Sequence, residues 1–556
     1  MHHHQIDADI LIIGGGSAGC MAAIRALEEN PSLRVVIFEK SDLKYGGSIA
    51  RGMDALNIVA IPNFTTPELY VEAATIACEG VCDAEPSWVM ADRSFALLKK
   101  LQSWGVHFPQ DKNGKFRTLK YHVKGEFQTA MEEPNLKVMI AERAEKAGAK
   151  AVNRTMALSL LKDNGRIAGA VGINMRTGEF ITCRAGAVLL TAGGLARFTL
   201  PNSGYLYSVF DYPGNTGDGY RMAFEAGAGL TGLEGCHRVM LIKDANMPLL
   251  AITVTRGGKV LDVFNNLLME NEVDNVWKMN QAFVEGRGPL RIQLKHLPEE
   301  VIAEIEGILF STERPVQERF FAGRGVNFRE QDIELWPTEY QLCGGHGNAG
   351  VRVNEKAETG VPGLYCAGDV ACVPKQHLSG AFVFGEVAAE NAVRYLAENP
   401  KAPDVDGSVM QRLIKDRQAR AEGGSREISV RELEYKVRRL IGDYVVSPKN
   451  AVKLNRWFEW APKLRQDVIE TAIINDAHDL CKSYEIDNII RCACISAMAS
   501  LERKESRWKD SHYRVDYPEK NDQEWLCHLV VKQGRNPEEM ICAKVPVAGR
   551  GKEIAL

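Results

Sequence analysis

The stretch that most constrains the fold lies at the start of the chain: ADILIIGGGSAGCMAAIRALEE, residues 8–29, followed by RVVIFEK, residues 34–40. An apolar run enters Gly14, Gly16 and Gly19 in GxGxxG spacing, passes into a run of helical period, and is followed by a second apolar run ending in Glu39. The glycines permit a tight turn and let backbone approach a pyrophosphate, which the start of a helix at Ser17 and Ala18 attracts through its dipole. Glu39 stands twenty residues after the last glycine, placed to accept from a ribose 2′-hydroxyl, and its charge disfavours a 2′-phosphate. A bare GxGxxG carries little weight. The two strands and the acid around it make the nucleotide-binding unit specific.

The rest of the chain decides which dinucleotide. AVLLTAGG (187–194) is a third apolar strand, ending in the close-approach residues Ala192 and Gly193. LYCAGDV (364–370) is a further strand ending in Gly-Asp, and HLSGAFVFGEVAAENAVRYL (377–396) reads as a second helix start. Asp369 suits a ribityl or phosphate contact. A helix opening near Ser379 and Gly380, and running on through Ala381 and Phe382, directs its positive dipole end at a flavin pyrimidine oxygen. A nucleotide unit interrupted in this way is a flavoprotein feature, and no second GxGxxG offers itself to a nicotinamide. FAD is the expected cofactor.

Composition narrows the class further. At 556 residues the chain exceeds a single core, and a net charge of −4 argues against nucleic acid as a partner. No apolar run is long enough to span a bilayer, and MHHHQIDADI lacks an apolar signal region, so a cytoplasmic location is expected. Thirteen scattered cysteines suit a reducing compartment, and no CxxCxxC run offers itself to an iron–sulfur cluster. Cys492 and Cys494, on an apolar helix-like stretch, read as packed core thiols, and no metal site is expected. His2, His3 and His4 are left out of metal arguments.

QLCGGHGNAG (341–350) sets His346 among four glycines. Glycine is entropically costly to order, so such a loop is built for close approach. Histidine titrates near neutrality, and one isolated among glycines has little to pack on, which favours a functional role.

These stretches, with NTGDGYRMAFEAGAGLTGLEG (215–235) and the tail ERKESRWKDSHYRVDYPEKNDQEWLCH (502–528), resemble the fumarate reductase/succinate dehydrogenase flavoprotein superfamily over nearly the whole chain. Within it, ARGMDALNI (50–58), HVKGEFQTAMEEPNLKVMIAERAEKAG (122–148) and LCGGHGNAG (342–350) look more like adenylylsulfate reductase alpha subunits. The resemblance implies an α/β chain with a Rossmann-like FAD-binding domain in two parts, 1–235 and 345–405, interrupted by a capping domain at 236–344. A helical domain at 406–500 and a C-terminal segment at 501–556 would follow. The charges of the helical domain are expected on a solvated face.

Further implied cofactor contacts are Lys40, Gly47, Ser48 and Asp218. His346 would lie over the substrate face of the flavin and hold or protonate substrate, its glycines letting backbone N–H groups approach an anionic ligand. Asn57 would polarise a flavin or substrate oxygen, and Glu126 would relay a proton. Two departures stand out. The arginine that meets substrate in adenylylsulfate reductases falls on Leu241, and the tryptophan that stacks on adenine falls near Leu206; Arg238 and Lys243 stand close enough to replace the arginine. Fumarate-type enzymes carry an arginine ahead of the pyrophosphate helix, where KQHLSGA places His377. No histidine lies between Ser41 and Met53 to attach the flavin, so FAD is expected to bind non-covalently.

The resemblance also implies a ferredoxin-like iron–sulfur partner subunit, hence a hetero-oligomer, with oxygen as the alternative acceptor. The expected function is an FAD-dependent oxidoreductase acting at flavin N5 on a small sulfur-containing or carboxylate substrate. Open alternatives are an adenylylsulfate reductase alpha subunit proper, a fumarate reductase or L-aspartate oxidase type of enzyme, and a flavin electron-transfer subunit without its own substrate site.

Overall fold

A computed structural model describes residues 3–201, 209–245, 249–270, 276–313, 316–401, 403–405, 407–422 and 426–556. The first unit forms as its spacing requires: β1 (His3–Ile13), α1 (Ser17–Glu29) and β2 (Val35–Glu39). β3 (Lys150–Asn153) extends the sheet beyond β2, and β4 (Thr155–Asp163), β5 (Arg166–Asn174) and β6 (Phe180–Leu190) form an antiparallel meander that returns beside β1. β7 (Leu364–Cys366) then adds in parallel to β6, leading into the long helix α2 (His377–Glu398). The parallel order is therefore β3-β2-β1-β6-β7. β5 occupies one edge of β6 over Phe180–Arg184 and β7 occupies the same edge over Val188–Leu190. The sheet itself thus closes the interruption in sequence. Ile10, Leu11 and Ile12 are fully buried, as a central parallel strand covered on both faces should be. α1 crosses α2 at close range because the crossing point carries glycine: a Cβ at Gly385 would sit 2.5 Å from the Ala18 carbonyl oxygen.

Residues 240–337 form a separate layer with its own apolar core, which includes Leu290, Ile292, Ile305 and Leu335. Its antiparallel sheet runs Met240–Ile242, Ile333–Pro337, Leu290–Gln293, Lys259–Leu261, Leu267–Glu270 in spatial order. Both ends of this cap return to one place. Leu230 pairs with Val351 and Thr231 with Gly350, and Leu230–Thr231 pairs on its other edge with the C-terminal strand Cys527–Gln533. That strand forms a hairpin with Met540–Pro546. The C-terminal segment is thereby a clamp at the base of the cap.

Four helices, Ser408–Glu422, Val430–Tyr444, Ala451–Glu470 and Ala477–Glu502, make up the helical region. A reciprocal capping box between Ser429 and Glu432 starts the second of them. Their charges follow the expectation of a solvated face only in part: Arg412, Arg431, Arg439 and Arg456 are exposed, whereas Arg420, Glu434 and Arg438 are buried. Arg420 pairs with Asp487, Glu434 with Arg197, and Glu485 with both Lys40 and Arg197 at 2.8 Å. Charges at helical spacing look the same in sequence whether they meet water or opposite charges on another element. Here Lys40 and Arg197 of the flavin domain supply the opposite charges for Glu434 and Glu485, and Asp487 of a neighbouring helix supplies that of Arg420. Cys492 is buried, its thiol donating to the Gly217 carbonyl at 3.7 Å, and Cys494 is half-buried. Among the described residues no helix is long and apolar enough to cross a membrane.

Candidate active site

A cavity of about 250 Å³ opens beyond the C-terminal ends of β1, β6 and β7, where open parallel sheets bind ligands. Gly14, with φ +103° and a would-be Cβ 2.5 Å from the Thr191 carbonyl oxygen, makes the turn out of β1. Gly15 N donates to Glu39 Oε2 at 2.7 Å and Ser41 N donates to Oε1 at 2.8 Å, so the Glu39 carboxylate is held at the rim. α1 starts without a side-chain cap, and a Cβ built on Gly16 meets nothing within 4 Å. An uncapped helix start beneath open space fits a pyrophosphate. Across the cavity lies Asp369, half-buried, its carboxyl pushed up to about 7 by desolvation and then by the neighbouring Asp211 carboxylate. In that range it can donate or accept toward a ribityl hydroxyl. The residues present therefore fit FAD.

Of the expected cofactor residues, Ser17, Ala18, Gly47, Ser48, Ala192 and Gly193 also line this cavity, as do Lys40, Asp218 and Ala381. Lys40 is committed within the protein, its Nζ donating to Gly214 O, Thr216 Oγ1 and Asp218 Oδ2. Burial opposes its charge, but the Asp218 and Glu485 carboxylates hold its pKa above the usual lysine value. Gly19 is not a lining residue; its missing side chain lets α1 close onto the Gly14 carbonyl. The second helix corrects the expectation at Ser379 and Gly380, because α2 begins at His377. Ser379 Oγ accepts from Ile58 N at 3.1 Å, a Cβ at Gly380 would sit 2.5 Å from Met90 Sδ, and Phe382 is in the core. Leu378 and Ala381 face the cavity instead.

Because Gly16 has φ −69° and free space at its Cβ position, Gly16→Val is expected to fold normally yet purify without flavin. Gly14→Val is expected to lose stability as well, from strain at positive φ and the Thr191 contact. Flavin-to-protein absorbance ratios and unfolding midpoints separate the two; full flavin content in Gly16→Val would contradict this placement of the pyrophosphate.

A second cavity, about 360 Å³, adjoins the first and shares His346 and His377 with it. The His346 ring lies 5.0 Å from His377 edge to face, 6.2 Å from His237 in parallel, and 5.4 Å from Phe210. Burial, reinforced by His346 and neighbouring cations, drives the pKa values of His377 and His237 well below that of an ordinary imidazole, so both rings are neutral at pH 7. His377 Nδ1 is buried without a partner among the described residues. A neutral His377 cannot supply the charge of the arginine it was expected to replace. Three cations line the second cavity: Lys375, whose Nζ donates to the His346 carbonyl at 2.7 Å, Arg238, stacked 4.7 Å over Tyr340, and Lys509.

The glycines around His346 also answer a packing demand. A Cβ at Gly344 would run into the Ala371 carbonyl, one at Gly345 into the Asp369 carboxylate, and one at Gly350 would lie 2.5 Å from Cys372 N. They admit the protein's own 369–372 segment, while Gly345 lines the first cavity, Gly347 the second and His346 both. Leu241, buried in a cap strand opposite Trp336, lines neither cavity; Arg238, three residues earlier, lines the second. Lys243 pairs with Glu334 at 2.8 Å. Leu206 lies outside the described residues. Asn57 is buried with its Oδ1 unpartnered among the described residues, and its carbonyl accepts from His122 Nε2 at 2.8 Å. Glu126 accepts from Thr118 Oγ1 at 2.7 Å and lines neither cavity. His237 and Lys375 carry no periodic or motif signal; Lys375 and His377 both adopt positive φ, a strain that composition does not reveal.

Residues 9–246 match the FAD binding domain family, and residues 436–550 match the fumarate reductase flavoprotein C-terminal family. The chain is 25% identical to a subunit of the fumarate reductase (CoM/CoB) of Methanothermobacter marburgensis, over 97% of this chain and 99% of that protein. It is similar in structure to adenylylsulfate reductase of Archaeoglobus fulgidus, with TM-score 0.88 and 25% identity over 98% of this chain and 96% of that one. It shares its fold with E. coli quinol fumarate reductase, at TM-score 0.83 and 17% identity over 100% and 99% of the two chains.

Proposed function

We propose that this chain, which belongs to the fumarate reductase/succinate dehydrogenase flavoprotein superfamily and is an FAD-dependent oxidoreductase, acts on a small carboxylate or sulfur oxyanion in the second cavity. Within a hetero-oligomer, it exchanges electrons with a ferredoxin-like iron–sulfur protein. FAD, bound non-covalently in the first cavity, supplies two-electron transfer to or from the substrate. The observation that carries the substrate reading is the histidine wall, His346 and His377, shared by the two cavities. Any substrate in the second cavity must meet that wall to reach the first.

The chain's own residues then divide the work. Lys375 and Arg238 attract and orient the anion. His346 holds the substrate atom that gains or loses a proton and moves that proton. His377, neutral and with its Nδ1 unpartnered among the described residues, accepts or donates one hydrogen bond to keep the substrate against His346. Asn57 acts from behind this layer through its Oδ1, which has no partner among the described residues. The hetero-oligomer is supported by relatives that are themselves named as subunits.

The test is anaerobic photoreduction of the holoenzyme, followed by exposure to fumarate, adenylyl sulfate, sulfite with AMP, and a panel of sulfonates. Reoxidation by a small carboxylate or sulfonate, with no effect of AMP, is the expected result. If AMP is required, the substrate is a nucleotide. If nothing but oxygen or an iron–sulfur protein reoxidises the flavin, the chain relays electrons without a substrate of its own.

A further inference from the structure

The second cavity extends away from the histidine wall to a polar end formed by Arg238, Trp277, Asn280 and Asp510, none of which lines the first cavity. Asn280 is 1% exposed, one helical turn from Trp277 on Val276–Val284, so both side chains lie on one face of the helix. Its Nδ2 donates to Asp510 Oδ2 at 2.6 Å, which fixes the amide orientation and leaves Oδ1 as an acceptor. That Oδ1, the Trp277 Nε1 and the Arg238 Nε are all buried without a hydrogen-bond partner among the described residues. Asp510, the nearest acid to Arg238, is 3.8 Å away, too far for a hydrogen bond. Buried polar atoms are rarely left unpaired, and these two donors and one acceptor all belong to residues that line one end of one cavity.

We propose that this end is a recognition subsite for a carboxylate carrying a hydrogen-bond donor on its adjacent carbon, a 2-amino or 2-hydroxy acid head group. The inference rests on reading the second cavity as the substrate site. The Arg238 and Trp277 N–H groups match the two oxygens of a carboxylate, with the guanidinium charge favouring the anion. The lone Asn280 Oδ1 beside them matches an O–H or N–H on the next carbon. Lys509, 4.9 Å over the Trp277 ring, adds positive charge at the rim, and Asp510 adds a negative charge that favours an ammonium over a hydroxyl. The substrate therefore spans the cavity, its head group read here and its reacting bond at His346.

Ligand-induced changes in the visible spectrum of the holoenzyme flavin test this, using succinate, malate and aspartate, and then glutarate, 2-hydroxyglutarate and glutamate. In one of the two series, a 2-substituted acid is expected to bind about tenfold tighter than its parent, the effect of one buried hydrogen bond. Whether the hydroxy or the amino member gains identifies the donor. Asn280→Leu is expected to erase the difference between parent and substituted acids, and Trp277→Phe to weaken every member of the series while keeping an aromatic ring. Equal binding of parent and substituted acids by the unaltered enzyme, or a preference that survives Asn280→Leu, overturns the subsite while leaving the cavity as the substrate site. If no acid of either series perturbs the flavin while a sulfonate does, the subsite falls and the second cavity stands; if neither carboxylates nor sulfonates perturb it, both inferences fall together.

Discussion

Alanine at position 346 is expected to slow reoxidation of the photoreduced holoenzyme by its small-anion substrate about 10²–10⁴-fold, the range associated with a positioned proton donor. The effect should fall on the rate at saturation, because Lys375 and Arg238 still attract the anion. Flavin content should not change, since the groups placed to hold the pyrophosphate and ribityl chain lie on α1, at Gly47 and at Asp369. Reduction by an artificial electron donor should also proceed as before. The space left by the ring borders both cavities, so added imidazole is expected to restore part of the rate. A structural role would not show that rescue. An unchanged rate would instead make the chain an electron relay whose chemistry belongs to a partner.

The largest expected effect on stability lies in the tail. Arg503 is fully buried and makes four contacts at 2.8–2.9 Å: Nε to Glu234, Nη1 to Glu505 and to the Trp525 carbonyl, and Nη2 to the Cys527 carbonyl. Glu505 keeps Arg507 as a second partner at 2.6 Å, but Glu234, also buried, already has one oxygen unpartnered among the described residues. Arg503→Ala therefore strands Glu234 as an uncompensated charge, which costs about 3–5 kcal/mol. That is a large share of the about 5–15 kcal/mol that holds a typical domain folded. The double replacement Arg503→Met with Glu234→Gln removes the stranded charge and should recover much of the loss. Urea midpoints at constant slope measure both. A cost below about 1 kcal/mol for the single change would mean that water reaches Glu234 in the folded protein.

Much of the flavin site is legible in the sequence because it depends on backbone placed by local spacing. GxGxxG between two apolar runs, with Glu39 after the second, can form little other than a strand-turn-helix-strand unit, and each of those residues lies where the spacing puts it. The sequence pattern sets the start of α2 two residues too late. Ser379 and Gly380 look like a helix opening, yet they serve contacts with Ile58 and Met90, which lie some three hundred positions away in the chain. The glycines of residues 341–350 announce close approach without saying to what. Glu126, indicated by resemblance, lies beside Thr118 and not on a cavity wall, while His237 and Lys375 carry no signal at all.

The sequence alone determined that the chain builds a nucleotide-binding sheet, that the sheet is interrupted, and that the cofactor is FAD. Those outcomes follow from periodicity and from glycine positions, which act over a few residues. Only the tertiary structure decided which histidines form the wall between the cavities, that Arg238 and not Leu241 lines the second of them, and that the buried charges of the tail clamp the base of the cap. Each of these arises where segments distant in sequence meet. A charge or an imidazole has the same local pattern whether it faces water, a counter-charge or a ligand, so its role is set by what packs against it.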